Sequence, residues 1–223
     1  MKICLYVTRI RNFILDILFP IKCIGCDIKD EILCDNCIFE IHSAEREMDK
    51  DISAVFDYRD KIIKKAIWEL KYYNKRYLGE KLGKILYESL IEDISDIKIR
   101  VSGRSIFVIP VPISKNKTKL RGYNQSLAIA KGFCNQAKLG IFELKNKIVF
   151  KKIDTIPQAR LTTRKKRLEN IKNAFEIKNK NEVFGRTIIV IDDVTTTGGT
   201  INEMIRILKD AGAKQVVGFA IAH

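Results

Sequence analysis

The chain has 223 residues, 46% hydrophobic and 30% charged, which suits one medium globular domain, or one such domain with a small appendage. Its 41 basic residues against 27 acidic ones leave a formal charge of +14, a balance that favours partners carrying phosphate: nucleotides, sugar phosphates or nucleic acid. No apolar run approaches the roughly 20 residues of a bilayer-crossing helix, which excludes a helical membrane span.

A composition rich in Ile, Lys and Asn would give the same basic surplus without choosing a ligand, so distribution matters more than total. Basic residues gather at Lys71–Arg76, Lys115–Arg121 and Arg160–Arg167, three segments expected to be loops or loop edges. Met1 to Phe19 is apolar, but Arg9, Arg11 and Asp16 interrupt it and no small-residue cleavage site follows. The expectation is an amphipathic helix, with Ile10, Phe13, Ile14, Ile17 and Leu18 on one face and Pro20 as its stop, in a cytoplasmic protein.

Next come Cys23-x-x-Cys26 and Cys34-x-x-Cys37, two thiol pairs separated by seven residues. Each pair can grip one side of a tetrahedral Zn²⁺, and two pairs close the site. The gap is shorter than in common zinc ribbons, so a compact knuckle is expected. Disulfides are the rival reading, as is redox chemistry of a lone Cys-x-x-Cys, which the duplication weakens. Four filled positions leave no room for substrate, so the metal would be structural. His42 is an alternative ligand. Cys4 and Cys134 lie outside the cluster and read as small buried hydrophobes.

Downstream, Ala54–Tyr58 alternates as a strand, while Asp60–Leu70 and Tyr77–Ile91 carry helical periodicity. Ile106–Val111 reads as a buried strand closed by Pro110 and Pro112, followed by a polar loop to Arg121-Gly122 and a helix over Asn124–Ala137. Ile148–Phe150 is a short strand, and Ile156–Asn173 a basic, polar excursion or mobile helix. Thr187–Ile191 is the clearest strand, before a helix over Gly199–Ala211 and a last strand over Gln215–Ala222. Recurring strand, helix and strand predict a parallel α/β sheet with crossover helices.

The most informative stretch is Thr187-Ile-Ile-Val-Ile-Asp-Asp-Val-Thr-Thr-Thr-Gly-Gly-Thr200. A buried strand delivers Asp192 and Asp193, then Val194 leads into a small, hydroxylated loop that opens a helix. Ligands of open parallel sheets sit beyond the carboxyl ends of strands. Gly198 and Gly199 let the backbone approach a phosphate, and amides at the helix start hold the anion. Thr195, Thr196, Thr197 and Thr200 add hydroxyl donors. The two acids suit neighbouring sugar hydroxyls and a nearby Mg²⁺. A Walker B strand also ends in acids, but the chain has no G-x-x-x-x-G-K-[ST].

Asp192–Thr200 resembles the signature of type I phosphoribosyltransferases. That resemblance implies that the acids bind the ribose 2′ and 3′ hydroxyls and that the loop amides hold the 5′-phosphate of phosphoribosyl pyrophosphate. The order of motifs is similar to the ComF family: Leu18-Phe19-Pro20, paired Cys-x-x-Cys, Leu70-Lys71-Tyr72, Pro110-Val111-Pro112, Arg121-Gly122-Tyr123-Asn124-Gln125, then Gln158, Leu161, Arg167, Asn170 and Phe175. It implies a type I phosphoribosyltransferase fold over residues 50–223 and an N-terminal helix with a four-cysteine zinc module over residues 1–45.

Around a diphosphate, Arg121 and the backbone of Gly122 would form a second anion cradle. Lys71 is a third candidate, and Arg164 and Arg167 could close over the ligand as a mobile hood. Each is otherwise a solvated cation. Asn124 and Gln125 also read as helix-start residues, and Trp68 and Tyr72 as core packing rather than base stacking. Two functions stay open. One is a phosphoribosyltransferase whose acceptor no residue identifies. The other, implied by the resemblance, is a single-stranded-DNA-binding competence module working with DNA-uptake proteins, its sugar-phosphate site sensing or vestigial. Tyr72, Tyr73 and Tyr77, interleaved with Lys71, Lys75 and Arg76, would then be a stacking strip.

Overall fold

The computed structural model describes residues 20–44, 50–101, 104–138, 140–152 and 171–223. The chain divides into two units, Met1–Ile41 and His42–His223. In the first, an antiparallel bridge joins Lys22 to Lys29, and a short helix follows, α1 (Asp35–Glu40). The helix predicted before Pro20 lies outside the described residues.

In the second unit the elements run β1 (Ile52–Phe56), α2 (Lys61–Tyr72), α3 (Arg76–Ser89), α4 (Ile91–Val101), β2 (Ile106–Pro110), α5 (Lys115–Arg121), α6 (Gln125–Cys134), β3 (Phe142–Leu144), β4 (Val149–Lys151), β5 (Phe175–Ile177), β6 (Thr187–Val194), α7 (Gly199–Asp210) and β7 (Gln215–Ala222). Five of the strands form one sheet in the order β1-β7-β6-β2-β3. Every pairing in it is parallel, as the alternation of strand and helix predicts. β4 and β5 pair antiparallel in a separate ribbon.

The sheet is covered on both faces, and the strand sequences show why. Phe107, Ile109, Ile188, Val190, Val216 and Ala220 join Ile201, Met204 and Leu208 of α7 in one hydrophobic cluster. The alternate residues point the other way, where the Phe133 ring of α6 meets Phe142 and Phe219 at centroid distances of 5.1 and 6.2 Å. Strands buried on both sides must be continuously apolar rather than alternating. Ile188, Ile189, Val190 and Ile191 are accordingly all 0% exposed. On the α6 face, α3 and α6 touch backbone to backbone. A Cβ on Gly83 would lie 2.0 Å from the Ile129 carbonyl oxygen, so only glycine permits that approach.

Several described elements escaped the sequence reading, among them four in the second unit. β3 and β5 have three residues each, too few to show a period. α4 restarts helix directly after α3 and buries only Ile94 and Ile97. α5 replaces the predicted polar loop. It has no buried residue, and Ser114 caps it by accepting from the Lys117 amide at 3.4 Å.

One topological feature positions the site. From β2 the next sheet strand is added on one side, as β3, whereas from β6 it is added on the other, as β7. The direction of winding therefore reverses between β2 and β6, and open α/β sheets bind ligands beyond the carboxyl ends at such a point.

Candidate functional site

β6 stays buried to its carboxyl end, so Asp192 and Asp193 arrive there only 8% and 9% exposed. Asp192 Oδ1 accepts from Ser126 Oγ and from the Asp193 amide, both at 2.9 Å. Ser126 lies in the first turn of α6, so the acid of one switch-point strand is held by the helix that follows the other. Asp193 Oδ1 accepts from the Val194 amide at 2.8 Å, and its Oδ2 pairs with Lys71 Nζ at 3.2 Å.

These partners do not meet all the negative charge. Burial, and then the neighbouring Asp193, push the Asp192 carboxyl up to about 7, against the opposing hydrogen bonds of Ser126 and the Asp193 amide and the charge of Lys71. Burial works against the Lys71 ammonium, but the Asp193 carboxylate outweighs it and raises Lys71 above the usual lysine range.

The threonine loop leaves β6 beside the end of β7, where the Thr195 amide donates to the Ala222 carbonyl at 2.9 Å. The His223 ring lies 3.0 Å from the Thr196 carbonyl. Gly198 takes φ 72°, the left-handed turn that starts α7, and no side chain caps that helix. Thr197 Oγ1 is buried without a hydrogen-bond partner. An uncapped helix start beside an orphaned hydroxyl is equipped for an anion.

Across the switch point, Arg121 ends α5. Its Nη1 donates to Gln125 Oε1 at 3.0 Å, its guanidinium lies 5.9 Å from the Tyr72 ring centre, and its Nε is buried without a partner. The Gly122 amide, expected in an anion cradle, instead closes α5 by donating to Thr118 at 2.8 Å. Asn124 is the N-cap residue of α6, and its side chain donates to the Val111 carbonyl at 2.9 Å. Arg164 and Arg167, with Gln158, Leu161 and Asn170, lie outside the described residues.

Trp68 and Tyr72 require a correction. The buried stripe of α2 is Ile63, Ala66, Ile67 and Leu70, and the aromatics lie off it. Trp68, Tyr72 and Tyr73 are 51%, 58% and 57% exposed, with the Trp68 ring 6.0 and 5.0 Å from the two tyrosines. Sequence reasoning missed Ser126 and the Arg121–Gln125 bond. Gln125 stood in the motif that was read, but nothing local pairs Ser126 with an acid 66 residues away.

In the first unit, the sulfurs of Cys23, Cys26, Cys34 and Cys37 all lie within 4.8 Å of one another. Cys34 Sγ is 3.6 Å from both Cys23 Sγ and Cys26 Sγ. An S₄ tetrahedron with Zn–S bonds of about 2.3 Å has edges of about 3.8 Å, whereas a disulfide spans about 2.05 Å. Burial opposes the Cys23 thiolate, but amide hydrogen bonds from Cys26, Cys34 and Gly25 bring it down to about 6. Burial, followed by the neighbouring thiols, raises Cys37. Four thiols so close are placed to hold a metal ion, because only a cation lets them all ionise. His42 pairs with Asp60 at 3.2 Å. Cys134 is half-buried and its thiol is pushed up to about 12 by burial.

Residues 144–223 match the model of the phosphoribosyl transferase domain. Competence protein F of Haemophilus influenzae is 26% identical over 212 residues, covering 90% of each chain. Competence protein ComFC of Streptococcus pneumoniae is 30% identical over 118 residues, 52% of this chain and 47% of that one. DNA utilization protein YhgH of Escherichia coli K12 is 25% identical over 150 residues, and the chain spans 62% of its length. Among solved structures, the glutamine phosphoribosylpyrophosphate amidotransferase of B. subtilis aligns with 69% of this chain and 30% of its own, at 16% identity and a TM-score of 0.41.

The raised Asp192 has a consequence for folding. Between about pH 4 and pH 7 the folded chain keeps a proton there that the unfolded chain has released, so stability falls as pH rises through that window and stays reduced above it. Asp192→Asn keeps an acceptor for Ser126 and removes the charge. It is expected to raise thermal stability at pH 8 by on the order of 2 kcal/mol, and to change little at pH 3. Melting curves at both pH values test this, and an unchanged or lower melting temperature at pH 8 refutes it.

Proposed function

We propose, since the chain belongs to the ComF family and carries a phosphoribosyl transferase domain, that its second unit binds phosphoribosyl pyrophosphate together with Mg²⁺. Asp192 and Asp193 accept from the ribose 2′ and 3′ hydroxyls. Val194 to Thr200 and the start of α7 hold the 5′-phosphate. Arg121 and Lys71 face the diphosphate, and Arg164 and Arg167 are the further cations assigned to it. The observation that carries this reading is the set of groups left short of partners: an acid pushed toward neutrality, and the orphaned Thr197 Oγ1 and Arg121 Nε.

The same unmet negative charge fits a divalent cation, and Mg²⁺ bound with the diphosphate would supply charge neutralisation there. As charge develops on departing pyrophosphate, Arg121 and Lys71 stabilise it. A nitrogen nucleophile then displaces it at the anomeric carbon, and no described residue selects that acceptor. In the first unit the four cysteines hold Zn²⁺ as a structural ion that fixes the knuckle, as all four positions are filled by sulfur.

A second reading has its own observation. The exposed Trp68 and Tyr72 lie on the helix that also carries Lys71, the exposed Tyr73 is the residue after its end, and Arg121 covers Tyr72. Flat ring faces among cations suit the bases and backbone of single-stranded DNA. This gives the chain a direct role in DNA uptake, in keeping with relatives called competence and DNA utilization proteins. Both readings can hold in one molecule.

Calorimetry with phosphoribosyl pyrophosphate and Mg²⁺ tests the first. Binding is expected in the wild type and absent in the Asp192→Asn/Asp193→Asn double variant. Because the sugar hydroxyls need an ionised Asp192, affinity should fall below about pH 7, by up to about tenfold per unit. No binding at millimolar ligand would refute the site.

Metal analysis of fresh, reduced protein should return one equivalent of zinc, and a Cys37→Ser variant should lose it. Under half an equivalent in the wild type removes the zinc assignment.

Trp68 is the only tryptophan, so oligothymidylate is expected to quench its fluorescence with a salt-sensitive affinity. Tyr72→Ala should weaken that binding by about 1–3 kcal/mol. Unquenched Trp68, or affinity indifferent to salt, counts against the stacking strip.

A further inference from the structure

The sheet has a second end, and its chemistry is opposite in sign. A cavity of about 360 Å³ opens there, lined by Arg104, Ser105, Arg186, Thr187 and Lys214 among others. That volume lies within the range of ligand pockets, about 300–1,000 Å³. Its three cations have a common origin in the topology. Arg104 precedes β2, Arg186 precedes β6 and Lys214 precedes β7, and these strands are parallel neighbours. Parallel pairing brings their amino ends together, and the cations with them.

The backbone that carries two of these cations is fixed. The Arg186 carbonyl accepts from the Lys214 amide at 2.9 Å and the Gly185 amide donates to Gly212 at 2.8 Å, which locks the entries to β6 and β7 side by side. The Arg186 guanidinium lies 4.8 Å from the centre of the Phe107 ring, an apolar support that leaves its donors to turn elsewhere. Among the described residues no carboxylate lines the cavity, and none of the three cations forms an ion pair. The acid beside it is Glu143, and its charge is already met. It accepts from Ser105 Oγ and pairs with Lys145 at 2.9 Å.

We infer that this cavity is a second anion site, one that takes a diphosphate group. Two guanidinium forks and an ammonium supply charge-assisted donors from several directions, with the Thr187 hydroxyl beside them, as a diphosphate requires and a single carboxylate does not. The site is distinct from the acid pair. Thr187 and Asp192 lie at opposite ends of one strand, roughly 16 Å apart, so a ligand here leaves the Asp192 loop open. Inorganic pyrophosphate and a nucleoside diphosphate share the chemistry this cavity reads.

Amide-resolved NMR titration separates the possibilities. With inorganic pyrophosphate, saturable shifts are expected at Gly185, Thr187 and Lys214, apart from any at Thr197 to Ile201, which report the other site. The Arg104→Glu/Lys214→Glu variant changes two exposed side chains, and its melting temperature shows whether it is folded. It should weaken the Gly185–Lys214 event by at least about tenfold and spare the Thr197–Ile201 one. ADP binding tighter than pyrophosphate at the same amides identifies a nucleoside diphosphate, and equal affinity identifies the inorganic ion. No saturable shift at Gly185, Thr187 and Lys214 with either probe overturns the site, as does undiminished binding in the folded variant. Shifts there with oligothymidylate alone overturn the small-ligand assignment in favour of a nucleic-acid backbone.

Discussion

Two neighbouring carboxylates at the end of a buried strand carry more negative charge than their surroundings neutralise, and much of the second unit is arranged around that fact. Asp192 is held by Ser126 and Asp193 by Lys71, so α6 and α2 are both tied to the tip of β6. Yet burial still drives Asp192 toward neutrality. A fold selected only for stability would place an amide or an apolar residue there. Charge kept buried and incompletely paired costs stability, and it is what a ligand rich in hydroxyls and accompanied by a cation can relieve.

The parallel sheet sorts charge along its length. Every strand of the five points the same way, so whatever closes each strand gathers at one end and whatever opens it gathers at the other. In β2, β6 and β7 the openings carry Arg104, Arg186 and Lys214, while β6 closes on two acids. A +14 chain therefore does not present a uniform basic surface. Among the described residues, three of its cations gather at a cavity, and Lys71, on the helix that carries exposed rings, pairs with Asp193.

The cysteine cluster works on a different scale. Its two pairs lie within 15 residues, with both intervening tight turns at positive φ, Asp27 and Asp30, inside the same stretch. Local chain geometry is enough to converge four sulfurs, whereas the acid pair needs helices distant in sequence to complete it. The unit around the cysteines can thus depend on a metal without the sheet depending on it.

That difference in range separates what could be read from the chain from what could not. The parallel α/β class, the long buried strands, the acid–threonine loop and the metal-ready cysteines were legible, because each is a pattern of neighbours: β-branched runs, glycine at a left-handed turn, paired thiols. Short strands such as β3 and the unburied helix α5 carried no period and stayed hidden. The residues 153–170, with Arg164 and Arg167, lie outside the described structure. Only the tertiary structure assigned Ser126 to Asp192, turned Trp68 and Tyr72 outward, committed the Gly122 amide to its own helix, and gathered three cations at the amino ends of adjacent strands. Pairings of that kind depend on strand order and helix crossing, which bring together residues tens of positions apart. Local sequence carries the chemistry of each group, but which group it meets is decided by packing of the whole sheet.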